Sequence, residues 1–191
     1  MKASLRAALW MLGSIGAFST MAVAGKEVSS VHDSFEIMTL RSAIGIALVL
    51  AFARATGQMQ EIKAERLSGH LLRNLMHFAG QNLWFFALTL IPLAQLFAIE
   101  FTSPIWVILL SPLLLGERLT APRLIAAALG FLGILIVTRP DIAHMNIGVL
   151  AAAAAAVCFA ATSIATKRLT RGQSIVTIMF WLTLMQFCFG L

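Results

Sequence analysis

Apolar residues in this chain come in long blocks parted by short charged segments, with none of the brief alternation that marks strands. A helix rising ~1.5 Å per residue needs about twenty apolar residues to cross a ~30 Å hydrocarbon core, and the blocks have that size. They predict helices over 7–25, 35–53, 74–90, 93–115, 122–138, 146–166 and from Ser174 onward. The stretch from Asn74 to Gly116 carries a single formal charge, Glu100, and is too long for one crossing; Ile91-Pro92 divides it into two. The polar segment from Arg54 to Arg73 reads as a linker with a short surface helix. The fold class is all-α integral membrane, with about seven transmembrane helices.

Composition agrees with the pattern. Hydrophobic residues make up 60% of the chain and charged ones 12%, against roughly 25% charged in soluble domains. The formal charge of +6 would raise nucleic acid as a partner in a soluble protein. Here the cations lie in loops between spans, and no nucleic-acid partner is expected. Eleven of the 14 Lys and Arg residues fall on one side of the predicted membrane; Lys26, Arg41 and Arg139 fall on the other. By the positive-inside rule the N-terminus is cytoplasmic, in an inner or plasma membrane.

Lys2, Arg6, the apolar run and Ala22-Val23-Ala24 imitate a secretory signal. The run suits a span better than a signal core, and an internal repeat decides for a retained helix. Shifted by 141 residues, Leu9 meets Leu150, Phe18 meets Phe159, Ala24 meets Ala165, Lys26 meets Lys167 and Ile37-Met38 meets Ile178-Met179. An odd number of spans separates the copies, so the second inserts upside down. Inverted repeats of this kind characterise secondary transporters.

Cys158 and Cys188 sit in apolar runs without metal-ligand spacing and read as packing residues; no metal site is expected. No phosphate loop, HExxH or GxSxG occurs, so neither an enzyme nor a cofactor is expected.

Glu100 is the sharpest candidate for chemistry. An acid at a helix centre costs about 2.5–3.5 kcal/mol on insertion scales. Pro104, four residues on, has no N–H for the carbonyl of Glu100, so the acid sits at a helix bend; Pro112 does the same to Ile108. Arg41 lies at similar depth on the second helix. The pair reads either as an ion pair inside the bundle or as a site for the charged ends of a solute, with Glu100 also a candidate proton carrier. Asn74, His77, Gln81 and Asn82, followed by Trp84 to Phe86, read as cavity lining or as helix–helix and lipid contacts; a structural role is favoured for His77. Trp106 is open between pocket wall and lipid-facing ring, and Trp10 suits the interface. Gly13-x-x-x-Ala17 and Ala126-x-x-x-Gly130 have the spacing of close helix seams. Glu117-Arg118 reads as a turn lock, and Lys26 and Lys167 as snorkelling helix ends.

The run SPIWVILLSPLLLGERLTAPRLIAAALGFLGILIV resembles the fourth-to-fifth helix signature of EamA-type transporters of the drug/metabolite transporter superfamily. The matching positions are Pro104, Gly116-Glu117-Arg118-Leu119, Gly130 and Gly133. The resemblance implies inverted five-helix repeats, ten spans in all: residues 1–140 form the first repeat and 141–191 the start of the second. It implies a permease for a small organic metabolite or drug-like solute, often an exporter, working by alternating access within the lipid bilayer. Glu100, Arg41, Asn82, Trp84 and Trp106 are then the candidates for solute binding or coupling, with Pro104 at the bend. The unfinished second repeat implies a missing C-terminal half or a pairing partner such as a homodimer mate. A half-length subunit without transport activity of its own is the alternative.

Overall fold

A computed structural model describes residues 3–138 and 146–191. The expected end of the fifth helix at Arg139-Pro140-Asp141, the repeat boundary there and Lys2 lie outside the described residues. The helices are α1 (Ala3–Val28), α2 (Ser34–Ala55), α3 (Leu67–Leu90), α4 (Leu93–Glu100), α5 (Ser103–Leu115), α6 (Ala121–Thr138), α7 (Ile147–Leu169) and α8 (Ile175–Gly190). No strand occurs among the described residues. With α4 and α5 as the halves of one bent span, these are the seven expected segments. Four segments are long and apolar enough to cross a membrane unaided: Ala8–Val28, Ser34–Ala55, Leu93–Leu115 and Ile147–Leu169. Ala121–Ile136 and Ile175–Gly190 are apolar but shorter.

The fourth span breaks where its proline removes a ladder bond. α4 ends at Glu100, Phe101 and Thr102 form a turn, and α5 starts at Ser103 with Pro104 in its first turn. The carbonyl of Glu100, deprived of a backbone donor, accepts from Ser103 Oγ at 2.5 Å. α5 ends where Gly116 adopts the left-handed conformation (φ 66°), its N–H donating to the Pro112 carbonyl at 3.2 Å.

α3 is the centre of the bundle and packs most extensively on α7. The alanine run makes this close contact possible: Ala151, Ala152, Ala155 and Ala156 are all buried. A methyl group on Gly80 would lie 2.9 Å from the Phe159 ring and 3.0 Å from Cys158 Cβ. α2 pairs with α8, again closely: a Cβ on Gly45 would stand 2.8 Å from Thr183 Cγ2. The seams expected at Gly13 and Gly130 are not packed among the described residues, where nothing lies within 4 Å of the position a Cβ would take at either. The apolar faces of α1 and α6 are exposed, among them Trp10, Leu12, Leu129 and Ile136, as suits residues turned to acyl chains.

The linker differs from expectation. It contains one 3₁₀ turn, Met59–Glu61, and α3 begins at Leu67, seven residues before the expected start at 74. The polar residues that looked like linker are packed inward instead. His70 pairs with Gln173, and Arg73 Nε donates to Thr166 Oγ1 at 3.0 Å. The segment ahead of α3 is clasped through its backbone carbonyls: Thr177 Oγ1 donates to Glu61, Trp181 Nε1 to Lys63 at 2.9 Å, and Gln173 Nε2 to Glu65 at 2.7 Å.

Candidate functional site

Where α1, α2, α3, α7 and α8 converge beside the end of α4, they enclose a cavity of about 430 Å³. Four aromatic side chains, Phe18, Trp84, Phe85 and Phe159, stand in its wall, and two charged side chains reach it, Arg41 and Glu100. They are not an ion pair: no salt bridge joins them among the described residues. The Arg41 guanidinium rests on thioethers, Nη1 3.6 Å from Met21 Sδ and Nη2 3.7 Å from Met38 Sδ. These are weak acceptors that leave most of its donor capacity unused. Glu100 Oε2 accepts from Trp84 Nε1 at 2.7 Å, a charge-assisted geometry when the acid is ionised. Trp84 is in turn held edge-to-face by Phe85 and lies 6.1 Å, between ring centroids, from Phe18. A second cavity, of about 290 Å³, shares Phe18 and Glu100 and is otherwise lined from α1 and α4.

Of the five candidate binding residues, Glu100, Arg41 and Trp84 line the larger cavity. Asn82 does not. Its Oδ1 accepts from Ser34 Oγ at 2.7 Å and its Nδ2 donates to the Phe78 carbonyl at 2.9 Å, so it ties α2 to α3 with its hydrogen bonds satisfied. Trp106 is 37% exposed and also stands outside this cavity. Five other polar residues reach the wall, Ser42, His77, Gln81, Thr183 and Gln186, and His77, Gln81 and Gln186 each have one buried polar atom lacking a partner among the described residues. His77 and Gln81 belong to the stripe legible in the sequence. Gln186 has no local sequence signal, being one amide in an apolar run.

The repeat offset would have found it. Phe18 and Phe159, Arg41 and Leu182, Ser42 and Thr183, and Gly45 and Gln186 are each 141 residues apart, and all eight line the cavity. The same offset relates the end of α1 at Val28 to that of α7 at Leu169, and the start of α2 at Ser34 to that of α8 at Ile175. It relates their N-caps as well: Asp33 accepts from the N–H of Glu36, and Ser174 from that of Thr177.

Away from the cavity, Glu117 in the α5–α6 turn binds Lys167 Nζ at 2.5 Å and Arg123 Nη1 at 3.2 Å, joining that turn to the end of α7. The hydrogen bond from Lys167, reinforced by the neighbouring positive charges, holds its carboxyl below the usual glutamate range.

The chain is 27% identical over 172 residues to an S-adenosylmethionine uptake transporter of Rickettsia conorii, covering 90% of this chain and 58% of the relative. It is 30% identical over 184 residues to a riboflavin transporter of Vibrio cholerae (95% and 62% covered), and 29% identical over 165 residues to a pseudopaline exporter of Pseudomonas aeruginosa (86% and 57% covered). It thus spans about three-fifths of the length of these relatives. A solved structure titled only "Crystal structure of protein" shares the fold with a TM-score of 0.64 at 24% identity, over 90% of this chain and 59% of that one. The EamA-like transporter family matches residues 5–139, and the chain belongs to that family.

Proposed function

We propose that this chain forms the solute-binding portion of a secondary permease for small amphoteric organic molecules. One observation carries the reading: a cation and an anion, Arg41 and Glu100, line one cavity, walled in part by aromatic rings, without pairing with each other. Two unpaired charges in a low-dielectric bundle are costly unless a ligand or water compensates them. A solute carboxylate suits Arg41, a solute cation suits Glu100, and a flat ring suits Phe18, Trp84 and Phe159. In the absence of a solute cation, Glu100 is the group on which a coupling proton would ride.

The 141-residue correspondence of cavity residues and helix ends supports an inverted-repeat permease of ten spans, with residues 1–140 as its first repeat. Alternating access then rocks the α7–α8 repeat against the first about the shared cavity. The reading puts the protein in the inner or plasma membrane with a cytoplasmic N-terminus. Uptake and export proteins both occur among its relatives, so it assigns no direction. The family membership argues for a transport role over an enzymatic one.

The test is flux of labelled S-adenosylmethionine and riboflavin into proteoliposomes carrying the full reading frame. Flux is expected to fall at least about tenfold in Glu100→Gln and in Arg41→Gln while both variants stay folded. Unchanged flux in both discards the site. A second reading is favoured by the coverage of about three-fifths: the transporting unit combines this chain with further helices, from a C-terminal half or a homodimer mate. Purified 191-residue protein that moves solute as a monomer would exclude it.

A further inference from the structure

Of the four pairs of repeat-related cavity residues, two are chemically alike and two are not. Phe18 and Phe159 match in kind, as do Ser42 and Thr183. Arg41 corresponds to Leu182, and Gly45 to Gln186. Each repeat therefore supplies one strongly polar side chain where the other supplies an apolar residue or none.

Gln186 is 2% exposed, and its orientation is fixed by its surroundings. Its Nε2 donates to the backbone carbonyl of Asn74 at 3.0 Å. A carbonyl only accepts, so the other end of the amide must be the oxygen. That Oε1 has no partner among the described residues. Asn74 is held from both sides, its Oδ1 accepting from Arg73 Nη1 at 2.8 Å and its Nδ2 donating to the Trp181 carbonyl at 3.0 Å. Arg73 is itself anchored on Thr166 of α7. A chain of bonds through three helices thus fixes an acceptor without a donor on a side chain that lines the cavity. Such an atom is costly unless something donates to it.

We propose that Gln186 selects and orients the solute, accepting from an N–H group of a molecule whose carboxylate is held by Arg41. The proposal rests on the permease reading above and narrows its substrate class to organic acids that also carry an amino or amide N–H. Because the Arg41 and Gln186 positions lack equivalents in the opposite repeats, a solute of this class binds in one orientation only. An acid without the N–H leaves Oε1 unpaired, and sites built around such a bond reject the analogue that lacks it.

The probes are L-tryptophan and indole-3-propionate, which differ in the ammonium group, titrated onto the full chain in nanodiscs with thermal stabilisation as readout. Wild type is expected to bind L-tryptophan at least about tenfold more tightly. Gln186→Met is expected to remove that preference by weakening L-tryptophan alone, whereas Gln186→Glu in its protonated form, whose O–H replaces the Nε2 donor toward the Asn74 carbonyl and whose other oxygen still accepts, preserves it. A purely structural role would shift both probes together. The proposal is overturned by a wild type that does not discriminate or binds neither probe, or by a Gln186→Met protein that still discriminates. If Gln186→Met does not fold, a Gln186→Glu protein that lacks the preference at mildly acidic pH, where its side chain is protonated, as well as at neutral pH overturns it. These outcomes leave the permease reading intact, because that reading fails only if the proteoliposome fluxes ignore Glu100 and Arg41.

Discussion

Ser103 caps Glu100: its hydroxyl donates at 2.5 Å to the carbonyl that Pro104 leaves without a backbone partner. The proline removes the donor, and the residue beside it supplies another. Glu100 can therefore stand at a broken helix without an exposed backbone group in the bilayer, where an unsatisfied carbonyl is heavily penalised.

Ser103→Ala should accordingly destabilise the protein by about 1 kcal/mol or more, whereas Ser103→Thr should be nearly neutral. Thermal unfolding in detergent measures both. A Ser103→Ala protein as stable as wild type would mean that water or a shifted backbone satisfies the Glu100 carbonyl.

Trp84 and Glu100 form the second half of that arrangement. Trp84→Phe keeps the ring against Phe18 and Phe85 but loses the donor at 2.7 Å from Oε2. Solute affinity should fall in Trp84→Phe and in Glu100→Gln. The double variant should lose less than the sum, as coupled residues do. Strict additivity in the cycle would show that the bond has no part in binding.

The lock at Glu117 gives a pH dependence of known sign. Its carboxyl is more acidic in the folded protein than in the unfolded chain, so unfolding takes up a proton and stability from this group rises with pH. The contribution is complete above the usual glutamate range and disappears as pH falls through the lowered folded value. Glu117→Gln should differ from wild type at neutral pH and converge with it in stronger acid; added salt should narrow the gap, because the pairs are exposed. Chemical unfolding midpoints between neutrality and acid report this directly, and parallel profiles for the two proteins would count against the lock.

Two glycines should respond in opposite ways. Gly80→Ala places a methyl 2.9 Å from the Phe159 ring, and overpacking of this kind costs about 1–3 kcal/mol. Gly130→Ala meets nothing within 4 Å and gains helix propensity of up to about 1 kcal/mol. Melting temperatures of the 191-residue protein should move down for the first and up for the second.

How much of this was legible beforehand follows from which forces leave marks in sequence. Apolar blocks are a direct record of the bilayer, and they place six of the seven segments to within a few residues of the observed bounds. The start of α3 was misjudged because His70 and Arg73 are polar yet buried, their partners Gln173 and Thr166 lying about a hundred residues away. The bend at Glu100 was readable because proline acts locally; the Ser103 cap was not, since serine has many uses. Small-residue spacing identified faces capable of close packing at Gly13 and Gly130 but could not say which faces have a neighbour. Arg41 and Glu100 are readable in the sequence as a pair at similar depth, whereas the difference between ion pair and shared cavity depends on side-chain geometry.

The clasp on the segment before α3 has a consequence for how the chain is oriented at all. Thr177, Trp181 and Gln173 hold Glu61, Lys63 and Glu65 by their backbones, not by their side chains. The charges in that segment take no part in the clasp; Lys63 and Glu65 face each other instead, at 3.8 Å. They can be exchanged to tell the insertion machinery which way to thread the polypeptide while the join between the two halves stays the same. On the orientation proposed above, topogenic information and tertiary structure are written on the same residues, in different atoms.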